Sequence, residues 1–397
     1  MTTTRRRVVG IALITAVAVM GDAMLFIVLP LYWQDFGMTA LWQVGILLSI
    51  NRFIRLPITP LVGLFYKRYQ MRTGVFIAVV LAVITTASYG IVNQFWLLLV
   101  MRALWGVAWS FLRLGGFLTV IDVTSDSNRG QFVGVYNGLW GLGGLAGMLA
   151  GGILVDQTSV TFVTMLFAII ALITIPFVWY LVPASKNEEQ EEKINQTVTK
   201  PWLTPYIQMV LATGIALGFI VSGLFASTLS PLIERSHVTE WSFSHITIGA
   251  ATLAGFVQAI RWGWDPFLAP LLGKMLDSLQ SLHRVILIPL IGGGVLFLLL
   301  GSVQSIIWLL ITLLLFQLIS TMFTTTTDTL ATSAASRSDH VKVMTAHTLA
   351  VDVGAALGPL ASFVLLEFYS LSAVYYVAGS LMLLLGVGWI FFKRVES

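Results

Sequence analysis

Two guanidinium groups stand inside one apolar stretch. Between Trp96 and Ile121 the chain carries Arg102 and Arg113, eleven residues apart, and no other charge. In a helix that spacing returns to the same face, with the two heads about 16 Å apart along the axis. A charge at membrane depth costs on the order of 2.5–3.5 kcal/mol. Two on one stripe must therefore face protein or a hydrated cavity. They are either fixed ion pairs between helices or groups that handle a charged solute.

Other ionisable groups sit in equally apolar surroundings. Asp22 lies in the first apolar run, and Arg52 and Arg55 share a face of the second, beside Asn51. Counting from the outer ends at Trp33 and Gln43, all three fall about 13–18 Å deep. Burial raises a carboxylate's pKa and a nearby arginine lowers it. A group poised between those effects can take and release a proton, which makes Asp22 the candidate proton site. A fixed pair with Arg52 or Arg102 is the alternative. Arg261 and Asp265 stand one turn apart, as a local ion pair or as solute ligands. Asp328 is expected near an inner interface, Asp352 about 10 Å from the inner face. His347 could take part in proton transfer, though a lone histidine is more often structural. Trp105, Trp109, Trp140, Trp262 and Trp264 could stack on aromatic or cationic groups, or could simply pack and anchor the spans.

The elements that hold these groups follow from composition. The 397 residues are 57% hydrophobic and 10% charged, against about 25% charged in soluble domains. Apolar runs of about 20 residues recur along the whole chain, and such spans must be helices or a closed barrel. The runs are continuous and not alternating, which selects helices. Twelve are expected: 8–33, 43–65, 74–92, 96–121, 131–154, 160–182, 205–229, 248–272, 284–302, 306–330, 345–366 and 372–392. The start resembles a signal peptide, but its run is too long, contains Asp22 and lacks a cleavage motif. It reads as the first span.

With the N-terminus inside, sixteen of the 22 lysines and arginines fall in inner segments, five in spans and only Arg235 outside. That asymmetry places both termini in the cytoplasm. It also accounts for the net charge of +4 without nucleic acid. The glutamate-rich segment 184–204 reads as a cytoplasmic tether between two six-helix bundles, 1–183 and 205–397. Sparse matches at a shift of 210 or 211 residues support a duplication: Pro60 on Pro270, Gly63 on Gly273, Gly143 on Gly354 and Gly147 on Gly358. Two such halves with charges at the midplane describe a secondary transporter.

Leu98, Arg102, Gly106, Ala108 and Ser110 resemble the helix-4 motif of the major facilitator superfamily. The loop Gly63 to Arg72 is similar to its loop signature, keeping Gly63, Arg68 and Arg72 but with Lys67 in place of Asp and Gln70 in place of Gly. The second half keeps an acid as Asp277. Asp126 to Gly130, with Arg129, is similar to the loop after helix 4. The glycines from Gly138 to Gly152, including Gly143 and Gly147, resemble the glycine-rich helix 5 of the drug/proton antiporter branch, without its usual proline. Gly354, Gly358 and Pro359 echo it in helix 11.

The resemblance implies an all-helical fold of twelve spans in two pseudo-symmetric bundles. It also implies alternating access, Asp22 and Arg102 in proton coupling, and a gate of the loop residues, Asp352 and the glycines. The glycine runs of helices 5 and 11 are expected where the halves meet. In that arrangement helix 2 packs on helix 11, so an Arg55–Asp352 bridge is expected.

The membrane arginines concentrate in the first half, which favours an anionic or zwitterionic solute over a lipophilic cation. Arg52, Arg55, Arg113, Trp105, Trp109, Trp140, Arg261, Trp262 and Asp265 are the candidate ligands. Proton-coupled efflux from a monomer in the cytoplasmic membrane is the expectation, with uptake symport of organic anions as its rival. An enzyme is disfavoured by the lack of H-E-x-x-H, G-x-S-x-G and Walker motifs. A receptor would gain nothing from buried charge. No cofactor or metal is expected, and the absence of cysteine removes thiolate sites.

Overall fold

The computed structural model describes residues 3–123, 129–182, 184, 203–236, 241–243, 246–277, 282–336, 338 and 340–392. Most of the tether, Asp126, and the side chains of Arg129 and Asp277 lie outside the described residues.

Twelve helical elements follow one another. They are α1 (Thr3–Val28), α2 (Leu41–Arg68), α3 (Met71–Ile91), α4 (Phe95–Val123), α5 (Arg129–Gln157) and α6 (Val160–Leu181). Then come α7 (Pro205–Ser236), α8 (Ala250–Asp277), α9 (Leu282–Val285 with Leu287–Ser302), α10 (Ile306–Ala335), α11 (His340–Phe368) and α12 (Leu371–Phe391). Among the described residues ten helices are long and apolar enough to cross a membrane, and Leu287–Ser302 is a shorter apolar one. Local signals set several starts. Ser159, Thr204 and Ser370 accept from the backbone N–H three residues on, and Pro205 follows its cap where a missing N–H costs nothing.

Two expectations need correction. The first span was expected to run to Trp33, but α1 ends at Val28 and the chain turns back, with Gly37 at a φ of 72°. Asp22 is therefore about 9 Å from the end of its helix. The outer link expected over 230–247 is partly helical, because α7 continues through Pro231 to Ser236. It then holds a small antiparallel hairpin, β1 (Trp241–Phe243) on β2 (Ile246–Ile248), in the register Trp241↔Ile248.

The chain forms two compact units. The first joins Met1–Lys193 with Thr239–Trp262; the second joins Ile194–Val238 with Gly263–Ser397. In the first, α4 is clamped by two buried tyrosines. Tyr66 of α2 donates to the Phe111 carbonyl at 2.9 Å and Tyr136 of α5 to the Leu112 carbonyl at 3.2 Å. Gly115 and Gly116 leave room for those rings. In the second, Phe225, Phe316, Phe297 and Tyr375 form a continuous aromatic core, with Phe297 stacked on Tyr375 at 5.1 Å.

The glycine runs are points of close approach within each unit, and Gly152 of α5 lies against the α8 backbone at Ala251. A side chain at Gly143 or Gly147 would overlap the α1 backbone at Ala16 or Met20. One at Gly354 or Gly358 would overlap the α7 backbone at Ile215 or Phe219. The internal repeat thus reappears as matching contacts, α5 on α1 and α11 on α7. Small residues serve here because apolar lipid gives no hydrophobic drive, so association rests on close packing.

Candidate functional site

The groups singled out in α1 and α4 meet. Arg102 Nη1 makes an ion pair with Asp22 Oδ1, and Arg102 Nε donates to the Leu47 carbonyl of α2 at 2.9 Å. Asn51 Nδ2 donates to the same Asp22 oxygen at 3.3 Å. The guanidinium stands 5.8 Å over the Tyr89 ring of α3. Arg102 is 1% exposed and Asp22 9%.

Glycines draw these four helices together. Any side chain at Gly21 would overlap Thr86 of α3, and any at Gly106 would overlap Ile54 and the Asn51 carbonyl of α2. The Arg-then-Gly spacing therefore has a physical use. Arg102 reaches Asp22 and the Leu47 carbonyl because Gly106, one turn on, lets α4 lie against α2.

The pair is not saturated. Asn51 Oδ1 is buried with no hydrogen-bond partner among the described residues, and the Tyr89 hydroxyl interacts with Arg102. A buried polar atom left unmatched is costly, and beside an ion pair it is polar capacity that a proton, water or solute group can use.

Arg52 was expected at the level of Asp22. Arg52 stands 5.8 Å over Phe26 of α1, and Asn51 takes the place beside Asp22. Arg55 is half-buried. Arg113 is exposed, its guanidinium 5.5 Å over Phe117 one turn on. The shared stripe of α4 is thus divided between a buried end and an open end. Helix α2 covers the stripe at Gly106 and stays against α4 beyond it, through Thr59 on Ser110 at 3.3 Å and Tyr66 on the Phe111 carbonyl. Between the two levels α2 carries Pro57 and Pro60, each lacking a backbone donor.

Four indoles run in a row through the first unit. Trp105 and Trp109 are 6.5 Å apart, Trp109 and Trp140 5.1 Å, and Trp140 and Trp262 6.4 Å. The first two are buried; Trp140 and Trp262 are half-buried, so those two present ring surface. Trp140 Nε1 donates to Asn137 at 3.1 Å. Arg261 is half-buried one residue before Trp262. In the second unit Asp265 accepts from Thr321 of α10, and Asp352 is half-buried on α11.

The loop after α2 has a structural task. Arg72 Nε donates to the Val182 carbonyl at the end of α6 at 3.1 Å, with its guanidinium over Trp179. A cation there meets unsatisfied carbonyls and the negative end of the helix dipole. Lys67 and Arg68 are exposed.

Three clusters escaped the sequence reading. Asp156, at the outer end of α5, accepts from Tyr32 at 2.8 Å and from both the backbone N–H and the hydroxyl of Thr252, at 2.8 and 2.6 Å. It caps the first turn of α8, and Gly249 leaves space for the carboxylate. Arg235, in the last turn of α7, donates to Ser372 at 2.8 Å and to the carbonyls of Leu300 and Val303, capping α9. Asp328 and His347 form a pair in the second unit at 3.3 Å. Only an acid or base isolated at a span end could have signalled the first two.

Comparison with known proteins follows the same lines. A Bacillus subtilis (strain 168) protein described as an uncharacterized MFS-type transporter, YddS, is 30% identical over 141 residues, 35% of this chain and 32% of that protein. The probable vesicular acetylcholine transporter-A of Danio rerio is 21% identical over 220 residues, 55% of this chain and 42% of its own length. The matches thus span less than half of those relatives. The crystal structure of the nucleoside transporter NupG superposes with a TM-score of 0.78 at 12% identity, covering 99% of this chain and 100% of that one. The peptide transporter POT in complex with sulfate gives 0.75 at 13%, covering 98% and 94%. At such identities these two share the fold. Residues 11–265 and 266–397 match the family described as the Major Facilitator Superfamily, and the chain, a multi-pass membrane transporter and not an enzyme, belongs to that superfamily.

Proposed function

We propose that this transporter exports a small anionic or zwitterionic solute across the cytoplasmic membrane in exchange for protons, in the manner of the drug and metabolite antiporter branch. Both termini are cytoplasmic, and two bundles, 1–183 and 205–397, alternate access to a site between them. Asp22 carries the proton and Arg102 is its partner. Arg52, Arg55, Arg113 and Arg261 supply positive charge to the solute, with Asp265 for an amino group and Trp105, Trp109, Trp140 and Trp262 for its apolar part. Gly63, Lys67, Arg68, Arg72, Arg129, Gly143, Gly147, Asp277, Asp352, Gly354 and Gly358 serve the gate. Proton and solute each bind one access state better than the other, as coupling requires.

The observation that carries this reading is the buried Asp22–Arg102 pair with Asn51 Oδ1 unmatched beside it. A permanent pair would be cheaper with every polar atom satisfied. The same observation favours a second reading, uptake symport. Protonating Asp22 frees Arg102 for an anionic group, so proton and anion would travel together. A thermal-shift screen of amino acids, carboxylates and drug-like compounds, at acidic and at neutral pH, supplies the solute. Flux in inside-out vesicles then decides. Export predicts solute entry against its gradient when the vesicle interior is acidified, and loss of that drive in Asp22→Asn. Symport predicts the reverse flux. Full proton-driven transport in Asp22→Asn defeats both.

A further inference from the structure

We propose that His347 and Asp328 form a second proton-binding site, in the second unit, where proton uptake changes how α7 packs on α11. The two residues lie at one level. Asp328 is seven residues before the end of α10 and His347 seven after the start of α11, each about 10 Å along its helix from the link that joins them. His347 Nε2 lies 3.3 Å from Asp328 Oδ1. The Asp328 side chain is 61% exposed, whereas His347 is 4% exposed. The carboxylate is the entry and the imidazole the interior end.

The other ring nitrogen gives the site its consequence. His347 Nδ1 is buried with no hydrogen-bond partner among the described residues. It abuts α7 at Gly214, where a methyl group would lie 2.9 Å from Nδ1 and 3.0 Å from Cε1. A neutral imidazole has one donor and one acceptor nitrogen. With a carboxylate beside Nε2, the proton belongs there, and Nδ1 is a bare lone pair against the helix. A second proton turns Nδ1 into a buried donor with nothing to accept from it. That donor is satisfied only when α7 or the ring shifts so that Nδ1–H reaches an acceptor or water. Proton uptake and that shift are then linked, each promoting the other.

Helix α7 is built to yield at this point. Its π-helical stretch Gly218–Phe225 begins four residues after Gly214, and such stretches interrupt the regular ladder, often at functional sites. The same stretch lies on α11 through Gly218, Gly223, Gly354 and Gly358.

Few other ionisable groups bear on the ring. Between Tyr206 and Glu234, α7 has none. Helix α10 has only Asp328, and α12 only Tyr375 and Tyr376. On α11 itself His340 stands two turns before the ring, about 10 Å along the axis on the same face, and Lys342 and Asp352 stand five residues to either side, about 140° around the helix.

The proposal does not rest on Asp22 as a proton site. The chain has no cysteine, so spin labels at Gln208→Cys on α7 and Thr345→Cys on α11 report without background. In full-length protein in lipid nanodiscs, acidification is expected to add a second, longer interspin distance. Asp22→Asn keeps that response, and His347→Gln loses it. Gly214→Ala, which places a methyl against Nδ1, shows the longer distance already at alkaline pH, a gain that misfolding would not mimic. An unchanged acid response in His347→Gln, or a wild-type distance at every pH in Gly214→Ala, overturns the proposal.

Discussion

Arg102 and Arg113 show how differently two equal charges on one helix can be used. Arg102 is enclosed by α1, α2 and α3 and neutralised by Asp22; Arg113 is open and lies over its own helix at Phe117. Removing one partner of a buried pair leaves the other uncompensated, at a cost of about 3–5 kcal/mol. Arg102→Ala should therefore lower the thermal unfolding midpoint in detergent far more than Arg113→Ala, which should stay within about 0.5 kcal/mol of wild type. Equal losses would mean that the burial difference has no energetic weight. The residue types were legible in sequence: a charge in an apolar span demands a partner. Which partner was open between Arg52 and Arg102 for Asp22, because both lie within reach on depth alone. The close approach of α4 to α2 at Gly106 brings Arg102 to Asp22.

At the level of elements, helix ends are closed by side chains from distant helices. Asp156 of α5 caps α8, and Arg235 of α7 caps α9. A lost N-cap costs about 0.5–2 kcal/mol. Hydrogen–deuterium exchange should therefore quicken in the first turn of α8, at Ala250 to Leu253, in Asp156→Ala, and at Leu300 to Val303 in Arg235→Ala. Each variant should leave the other's segment unchanged. Exchange that rises everywhere would instead indicate general loosening. The sequence located the helices themselves well, since length and hydropathy suffice for that. It could not see the caps, because an acid at residue 156 and a threonine at 252 share no local pattern. It marked the glycine runs as places of close approach. Their spacing shows that something approaches closely, but not which helix does so, and the contacts with α1 and α7 supplied that answer.

For the whole molecule, the one-sided distribution of lysine and arginine predicts which ends of the helices face the cytoplasm. Gln70, between α2 and α3, and Gln94, between α3 and α4, lie at opposite ends of α3 and are exposed. In a chain without native cysteine, a membrane-impermeant thiol reagent should label Gln94→Cys in intact cells. Gln70→Cys should react only after permeabilisation. The opposite pattern would reverse the orientation. By itself the sequence determined that this protein is a bundle of membrane helices in two related halves, because apolar length, composition and charge asymmetry are properties of the chain that need no contacts. Only the tertiary structure decided that Asp22 belongs to Arg102, that the glycines join α5 to α1 and α11 to α7, and that His347 meets Asp328. Those pairings depend on which helix faces which across tens or more residues of chain, and helical periodicity fixes a face without naming its neighbour.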